Sequence, residues 1–319
     1  MCHSWIYIII KPGINRIKLV NYFSFRETGY VLRREFNVTD DSSLFSKQKT
    51  APATAPVYEG KVIHQFNPVY TGFNNYVDPT MAHESLLDKE TKRIKTDLQL
   101  TITTQKVKEY FVQNNFKLDY QTYRLIYRSI ASSTNERTLI ATVIPPNQFT
   151  VNSVNYLINC NYSKENDTSF KQHLLGPEHA IYIMALLNSL TLNYFIRNKI
   201  SANLNMFYLY ELPIPQASDE LKNEIIQKAF VLLYNKSNKK LYEDLRTSLG
   251  IDKKFVDVYK DDITHYQLRA ELEILIAKEL YGLDKNDWQY LTSTFVYGED
   301  EITRKELDEI ISISNGMFT

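Results

Sequence analysis

The chain has 319 residues, of which 44% are hydrophobic and 23% are charged, a composition that excludes disordered and fibrous proteins and favours a globular fold with a proper core. Its formal net charge is zero, so the overall charge does not by itself indicate a nucleic-acid partner. The two cysteines, Cys2 and Cys160, exclude a disulfide framework and a cysteine metal site, and they favour a reducing cytoplasm.

Charge is unevenly distributed along the chain. Residues 1–80 carry 9 basic and 6 acidic side chains, and residues 81–140 carry 10 and 7, whereas residues 251–319 carry 8 and 15. The basic segments are compatible with a groove that holds phosphate groups, and equally with an ordinary solvated surface. The acidic C-terminal segment brings the sum to zero.

The first half of the chain predicts short strands joined by loops. Ile6–Ile10 and Ile14–Val20 flank a Lys-Pro-Gly turn, which is typical of a hairpin, and the apolar run from Trp5 to Ile10 is too short to cross a membrane. The following pattern predicts a polar proline-rich loop over 39–56, a helix over 80–97, and strands at Tyr123–Ile130 and Thr138–Val143.

The second half is predicted to be mainly helical. After Pro177 we expect one apolar helix over Glu178–Ile200, then a strand over Met206–Leu212 ending in Pro213-Ile214-Pro215, and a helix from Ser218 to about Leu233. Further helices are indicated by leucines at helical spacing from Leu268 to Leu280 with Gly282 as the C-terminal cap, by Asp284 before Trp288, and by a capping box at Thr303–Glu306. The fold class predicted is α+β, with a mixed-β part, a long central helix and an acidic helical tail.

Motifs that carry chemistry are missing from the sequence. It contains no glycine-rich phosphate loop, no paired histidine or cysteine metal spacing and no Gly-x-Ser-x-Gly elbow. Six histidines are scattered singly, namely His3, His64, His83, His173, His179 and His265. We therefore predict no metal site, no bound cofactor and no catalytic residue in this chain.

Asn67-Pro68-Val69-Tyr70 is similar to the Asn-Pro-Pro-Tyr loop with which amino-methyltransferases hold a flipped base. The second proline is missing here, and no glycine-rich S-adenosylmethionine loop precedes the segment. We interpret it as a chance likeness, with a divergent methyltransferase as the alternative.

Two segments have side chains suited to DNA contacts. In the first, Tyr58-Glu59-Gly60-Lys61 predicts a tight turn before a strand that carries His64 and Gln65. In the second, Arg124, Ile126 and Arg128 share one face of a strand, and a polar turn with Thr134, Asn135, Arg137 and Thr138 follows. Arginines beside a polar turn suit phosphates and guanine edges, although a half-buried strand with solvated arginines explains the pattern equally well.

Two later segments complete the set. Ala185–Ser189 lies inside the predicted central helix and leads to Asn203 and Asn205, whose amides suit either an adenine edge or a chain bend. Arg269–Leu283 has leucines at packing positions, and we assign it a structural role.

Taken in order, these segments resemble the C-terminal half of type IIG restriction–modification enzymes and related adenine-N6 DNA methyltransferases, including those of phage-exclusion systems. The residues that carry the resemblance are Asn37–Phe45, Val57–Lys61, Tyr123–Arg128, Asn135–Thr138, Leu186–Ser189, Leu204–Phe207, Leu212–Pro215 and Arg269–Leu283. The resemblance runs from about residue 23 to residue 297. The methyltransferase motifs of that family are absent from this chain.

The resemblance implies a target-recognition domain that reads a DNA sequence for phage defence. It divides the chain into N-terminal strands and loop at 1–56, a target-recognition domain at 57–216 and a helical C-terminal region at 217–319. It implies double-stranded DNA and a methyltransferase domain or subunit as partners, with S-adenosylmethionine bound by that partner. We expect a truncated frame, one part of a split gene, or a separate specificity polypeptide, with or without an associated endonuclease.

The residues that we expect near DNA are Tyr58, Glu59, Lys61, His64, Gln65, Arg124, Arg128, Thr134, Asn135, Arg137, Thr138, Asn203 and Asn205. Two other functions stay open on the sequence. One is a complete but divergent methyltransferase that uses Asn67–Tyr70, and the other is a non-catalytic module whose acidic helices dock a protein partner.

Overall fold

The structure is a computed structural model, which describes residues 7–11, 15–18, 22–47, 54–131, 137–200, 203–295 and 301–318, with only the backbone described for 7–11, 15–18 and 301–303. The α+β class predicted from the sequence is confirmed. The described strands are β1 Tyr7–Lys11, β2 Asn15–Lys18, β3 Tyr22–Ser24, β4 Leu32–Arg33, β5 Phe45–Ser46, β6 Ala55–Tyr58, β7 Tyr76–Val77, β8 Arg124–Arg128, β9 Ala141–Ile144, β10 Phe149–Thr150, β11 Val154–Leu157, β12 Cys160–Lys164, β13 Phe170–Leu174 and β14 Pro213–Pro215. The described helices are α1 Pro79–Asp97, α2 Thr104–Gln113, α3 Pro177–Asn188, α4 Leu190–Arg197, α5 Met206–Tyr210, α6 Asp219–Lys236, α7 Glu243–Ser248, α8 Lys253–Val258, α9 Asp262–Ile274, α10 Lys285–Ser293 and α11 Glu301–Met317.

The central sheet is antiparallel, with strand order β4-β11-β8-β9. Side chains of β8 alternate between its faces as predicted, since Leu125 and Tyr127 belong to one core cluster and Ile126 to another. The helix α3 covers the first face, and the segment from Tyr58 to Ile63 covers the second. The sheet is therefore buried on both sides.

A second sheet, with order β10-β6-β7-β5, packs with α1 and α2 around a separate core cluster. The helix α1 begins where the sequence predicts, because Asp78 accepts hydrogen bonds from the backbone N–H groups of Thr80 and Met81. The predicted N-terminal hairpin is also present, as β1 pairs with β2. Within the predicted proline-rich loop, residues 48–53 lie outside the described residues, and β5 and β6 occupy parts of the rest.

The predicted central helix over Glu178–Ile200 is wrong in one respect, since it is broken into α3 and α4. The two helices meet at an angle of 61°. Ser189 adopts extended dihedral angles, and its hydroxyl accepts a hydrogen bond from the Leu192 N–H, which makes it the N-cap of α4. A single apolar run thus folds as two buried helices.

Two further predictions require correction. Met206–Leu212 is not a strand: its first five residues form the helix α5, Asn205 precedes that helix as its N-cap, and only Pro213–Pro215 pairs with β3. The turn at Glu59-Gly60-Lys61 follows a strand, β6, and does not precede one.

The C-terminal helices agree better with their sequence signals. Ser218 caps α6, Asp284 forms a capping box with Asp287 at α10, and Gly282 has the positive φ of 68° expected of a C-terminal cap. The leucine-spaced segment forms α9 and a π-helical stretch, Leu275–Leu280. The last helix, α11, begins at Glu301, so Thr303 lies inside it and does not cap it.

The largest core cluster takes buried side chains from Phe25 to Phe318 and crosses the predicted boundary at residue 216. The three-part division of the chain stays a prediction. In the described ranges no single helix is long and apolar enough to cross a membrane; α3 and α4 meet that criterion only as a bent pair, on length and composition.

Two buried asparagines join the helical part to the edge of the central sheet. β9 is the last strand, and the N–H and C=O groups of Ala141 are bonded by the Asn188 side chain, each at 2.9 Å. One turn further on, the Asn193 side-chain oxygen accepts from the backbone N–H groups of Thr138 and Leu139. Together with the Phe66 N–H, which also donates to the Ala141 carbonyl group, these amides complete the hydrogen bonding at the edge of the sheet that the described strands form.

Replacing Asn188 with alanine is expected to lower the free energy of unfolding by about 1 to 3 kcal/mol, because the buried Ala141 N–H would lose its partner while the Ala141 carbonyl group would keep only its bond from the Phe66 N–H. Urea denaturation followed by circular dichroism measures this. Asn161→Ala, at an exposed position on β12, is the matched control and should change stability by less than about 0.5 kcal/mol. Equal losses in the two variants would contradict the bridging role of Asn188.

Candidate nucleic-acid interface

Gln65 lies at a junction of four chain segments. Its side-chain nitrogen donates to the carbonyl groups of Leu139 at 2.7 Å and Asn188 at 3.2 Å. Its side-chain oxygen accepts from Arg137 Nε at 3.2 Å and from Arg269 Nη2 at 3.1 Å. Both ends of the amide are therefore used, and the loop after β6 is tied to the segment that precedes β9, to α3 and to α9.

A buried ion pair on α9 anchors this junction. Arg269 and Glu273 are one helical turn apart, and their side chains are only 7% and 1% exposed. One carboxylate oxygen of Glu273 accepts from Arg269, while the other accepts from the Leu190 N–H at the start of α4. Arg269 also donates to the Asn188 carbonyl group at 2.6 Å and lies over the Phe66 ring. Apart from the ion pair itself, which lies within α9, these contacts join other segments of the chain to α9.

The four segments singled out in the sequence thus meet in one place. Gln65 comes from the first, Arg137 from the second, Asn188 from the third and Arg269 from the fourth. Arg269 was assigned to structure from the sequence, but it also lines a cavity next to His64.

Cationic side chains surround His64, which is half-buried beside this junction. The pKa of its imidazole is lowered from 6.5 to about 3, and burial is the largest cause. The positive charges of Arg128, Arg137, Arg269 and Lys236 are the other causes of this shift. Since each cation comes from a different element or loop, the fold itself creates a positive field at this point.

The surface beside His64 is partly polar and partly aromatic. Tyr70 is 47% exposed, and the centroid of its ring lies 4.8 Å from that of the His64 ring at an interplanar angle of 32°. Lys61 is exposed, and Arg128 donates to the backbone carbonyl group of Ile63. We call the surface formed by Lys61, His64, Tyr70, Arg128 and Lys236 the His64 face.

Asn203 and Asn205 extend this surface. Asn203 forms an isolated antiparallel bridge with Ile130, two residues beyond Arg128, and both asparagines are exposed. The bridge places the backbone of Asn203 beside the segment that follows β8, and neither asparagine lies on a strand of a described sheet.

Arg124 is placed differently from the prediction. The sequence suggested an exposed face shared with Arg128, but the segment that covers β8 leaves Arg124 0% exposed. Its guanidinium binds Glu35 at 2.8 Å and donates to the Gln148 carbonyl group at 2.6 Å. Arg124 is thus a structural ion-pair residue in the interior, about four residues along the strand from the His64 face.

Other predicted DNA contacts are spread over the interior and the surface. Tyr58 is 3% exposed, with its ring 5.0 Å from that of Phe73, and burial raises the pKa of its phenol. Glu59 binds Asn75 and Lys61, and Thr138 is fully buried. Thr134 and Asn135 lie outside the described residues.

The sequence did not single out Lys236, His265 and Glu306, which line the same cavity as His64. The only local signal was the spacing of His265 and Arg269, four residues apart on one face of α9. Across the part of the chain that the structure describes, no group of three or more metal-ligating side chains could hold a metal ion.

The motif Asn67-Pro68-Val69-Tyr70 follows His64 in a closed turn. His64 and Asn67 pair through their backbones, and the Asn67 side-chain oxygen accepts from the Val69 N–H at 3.1 Å. That oxygen is thus engaged within its own turn. The methyltransferase interpretation of this motif stays an untested alternative.

Replacing Arg124 with methionine is expected to destabilise the protein by about 3 to 5 kcal/mol, since Glu35 would remain buried without its cation. Urea denaturation of Arg124→Met, Glu35→Gln and the double variant separates the pair energy from the packing. The double variant should recover part of the loss. A fully stable Arg124→Met protein would contradict the structural role.

Stability should depend on pH through His64. The imidazole of His64 has a lower pKa in the folded chain than in the unfolded chain, so the unfolded chain binds the proton more strongly. The free energy of unfolding therefore falls as the pH drops from 6.5 toward about 3. Between about pH 7 and pH 5, urea midpoints of His64→Gln should fall less than those of the unmodified chain. The exposed His173→Gln is the control, and equal pH dependence in all three proteins would refute the assignment.

Comparison with known proteins gives a distant structural likeness. No family model matches the chain, and no curated protein matches it. The chain is similar to a solved structure of the type IIL restriction–modification enzyme MmeI in complex with DNA, at 13% sequence identity and a TM-score of 0.41. The likeness covers 90% of this chain and 36% of that one, so the chain spans little more than a third of that enzyme's length.

Proposed function

We propose that this chain recognises duplex DNA for a restriction–modification system, as the specificity part that acts with an adenine-N6 methyltransferase domain or subunit. The observation that carries the proposal is the positive field at His64, to which four cations from separate elements contribute. The resemblance of the ordered sequence segments to target-recognition domains supplies the type of system.

Charge alone suits many anions, and the neighbouring side chains favour DNA. Lys61, Arg128 and Lys236 offer charged donors to backbone phosphates, while the exposed amides of Asn203 and Asn205 suit the edge of an adenine. Phosphate contacts supply most of the affinity, and the amides supply discrimination between bases. Arg124, being buried, has no part in this interface.

Buried members of the junction have a supporting role in this proposal. Gln65, Asn188 and the Arg269–Glu273 pair hold the loop that carries His64 against the sheet. A site whose side chains are held by a bonded second layer keeps its geometry when it binds.

Binding of the full chain to a mixed-sequence duplex, followed by fluorescence anisotropy, tests the proposal. Affinity should fall steeply between about 50 and 200 mM salt, with a slope of about −0.9 per phosphate contacted. Lys61→Gln should reduce the magnitude of that slope by about one unit. Lys106→Gln, an exposed lysine on α2, is the matched control and should leave the slope unchanged.

Absence of binding even at low salt would refute DNA recognition by this chain. Binding with equal salt slopes in the unmodified protein and in Lys61→Gln would place the DNA on another surface.

A further inference from the structure

A cavity of about 80 Å³ lies beneath the His64 face. Its walls come from the loop after β6, from the end of α6, and from α9 and α11. The polar side chains that the inference uses are His64, Lys236, His265, Arg269 and Glu306. By volume it has room for about three water molecules, which suits one small polar group and is too little for a nucleobase.

Several of these polar groups lack hydrogen-bond partners within the protein. His265 and Arg269 are 7% and 6% exposed. Among the residues that the structure describes, neither imidazole has a hydrogen-bond partner, and the same holds for Nη1 of Arg269 and Nζ of Lys236. Polar groups of buried residues are nearly always bonded, so the unbonded imidazole of His265 and the unbonded Nη1 of Arg269 at one small cavity point to a ligand. The exposed Lys236 and the half-buried His64 are further donors at the same cavity.

The charge of the cavity selects the class of ligand. Two cations, Lys236 and Arg269, line it together with Arg137, and Glu273 offsets the charge of Arg269. Glu306 is the carboxylate on the opposite wall. The cations remain in excess, which favours an anion.

The imidazoles fit the same ligand. Burial, together with the positive charges of Lys236 and Arg269, lowers the pKa of His265 to about 3. Both histidines are thus neutral near pH 7, and each offers one N–H donor without adding charge. A tetrahedral oxyanion with several acceptor oxygens matches this set of donors.

We propose that the cavity binds a single phosphate group, held by Lys236 and Arg269 Nη1 as charged donors and by His64 and His265 as neutral ones. This inference rests on the proposed function for the source of the phosphate, which is a phosphodiester of the DNA backbone. The other source with the same chemistry is free phosphate.

Inorganic phosphate titrated into the full chain, with the imidazole resonances of His64 and His265 followed by NMR, tests the site without DNA. Both resonances should shift in a saturable manner. Lys236→Gln should weaken binding roughly five- to tenfold, because one charge-assisted hydrogen bond is lost. Lys106→Gln should bind as the unmodified chain does.

Glu306→Gln is the decisive variant, since it removes the opposing charge from the cavity wall. Phosphate affinity should rise by roughly two- to fivefold. A gain in affinity cannot result from loss of folding. Unshifted histidines at millimolar phosphate, or unchanged affinity in both Lys236→Gln and Glu306→Gln, would overturn the site.

A parallel titration with dimethyl phosphate distinguishes the two sources. Binding of this diester supports a DNA phosphate, and binding of inorganic phosphate alone overturns that source. The failures of the two proposals are separable. Phosphate binding without DNA binding refutes only the proposed function. The cavity site alone is refuted if phosphate has no effect on the histidine resonances and DNA binds equally well to the unmodified chain, Lys236→Gln and Glu306→Gln.

Discussion

The buried ion pair between Arg269 and Glu273 is the interaction on which the arrangement of this protein depends. Removing two charges from water is costly, and such a pair persists only where its remaining donors and acceptors are also bonded. Here Glu273 accepts a hydrogen bond from the first N–H group of α4, and Arg269 donates to Gln65 and to the carbonyl group at the end of α3. The pair therefore specifies how three elements meet, in addition to holding α9 in the core.

That constraint explains how distant parts of the chain come to share one surface. Gln65 and Arg269 are 204 residues apart, yet they are joined directly by a hydrogen bond. The loop that follows Gln65 carries Asn67 and Tyr70, and the residue before it is His64. Placing this loop on α9 brings the end of α6, with Lys236, to the same point. A structural core of polar bonds thus underlies a surface on which Lys61 and Lys236 are the exposed cations.

Local signals made much of the fold predictable. Helix ends depend on capping interactions within one turn of the chain, so they can be predicted locally. The structure has helices that begin or end at the caps Asp78, Ser218, Asp284 and Gly282. The break at Ser189 was not predictable in the same way. A serine inside an apolar run is compatible with a continuous helix, and the bond from Leu190 to Glu273, 83 residues away, is visible only in the fold.

The candidate site was predictable in part for the same reason. His64, Gln65, Arg128 and Arg137 were selected from their chemistry, and the structure brings them close together. Period-two alternation placed Arg124 and Arg128 on one face correctly. Whether that face is solvated depends on what packs over it, and the segment from Tyr58 to Ile63 covers it. Lys236, His265 and Glu306 carry no motif, and only the packing of α6, α9 and α11 reveals them.

Hydrogen–deuterium exchange of the full chain with and without duplex DNA tests most directly whether the His64 face is the DNA-binding surface. DNA should protect the backbone of residues 58–70, 128–130 and 203–205, where the cations and exposed amides lie. The hairpin of β12 and β13, which lies beyond the opposite end of β8, should exchange at the same rate in both states. Protection of that hairpin without any change at 58–70 would contradict the placement of DNA on the His64 face.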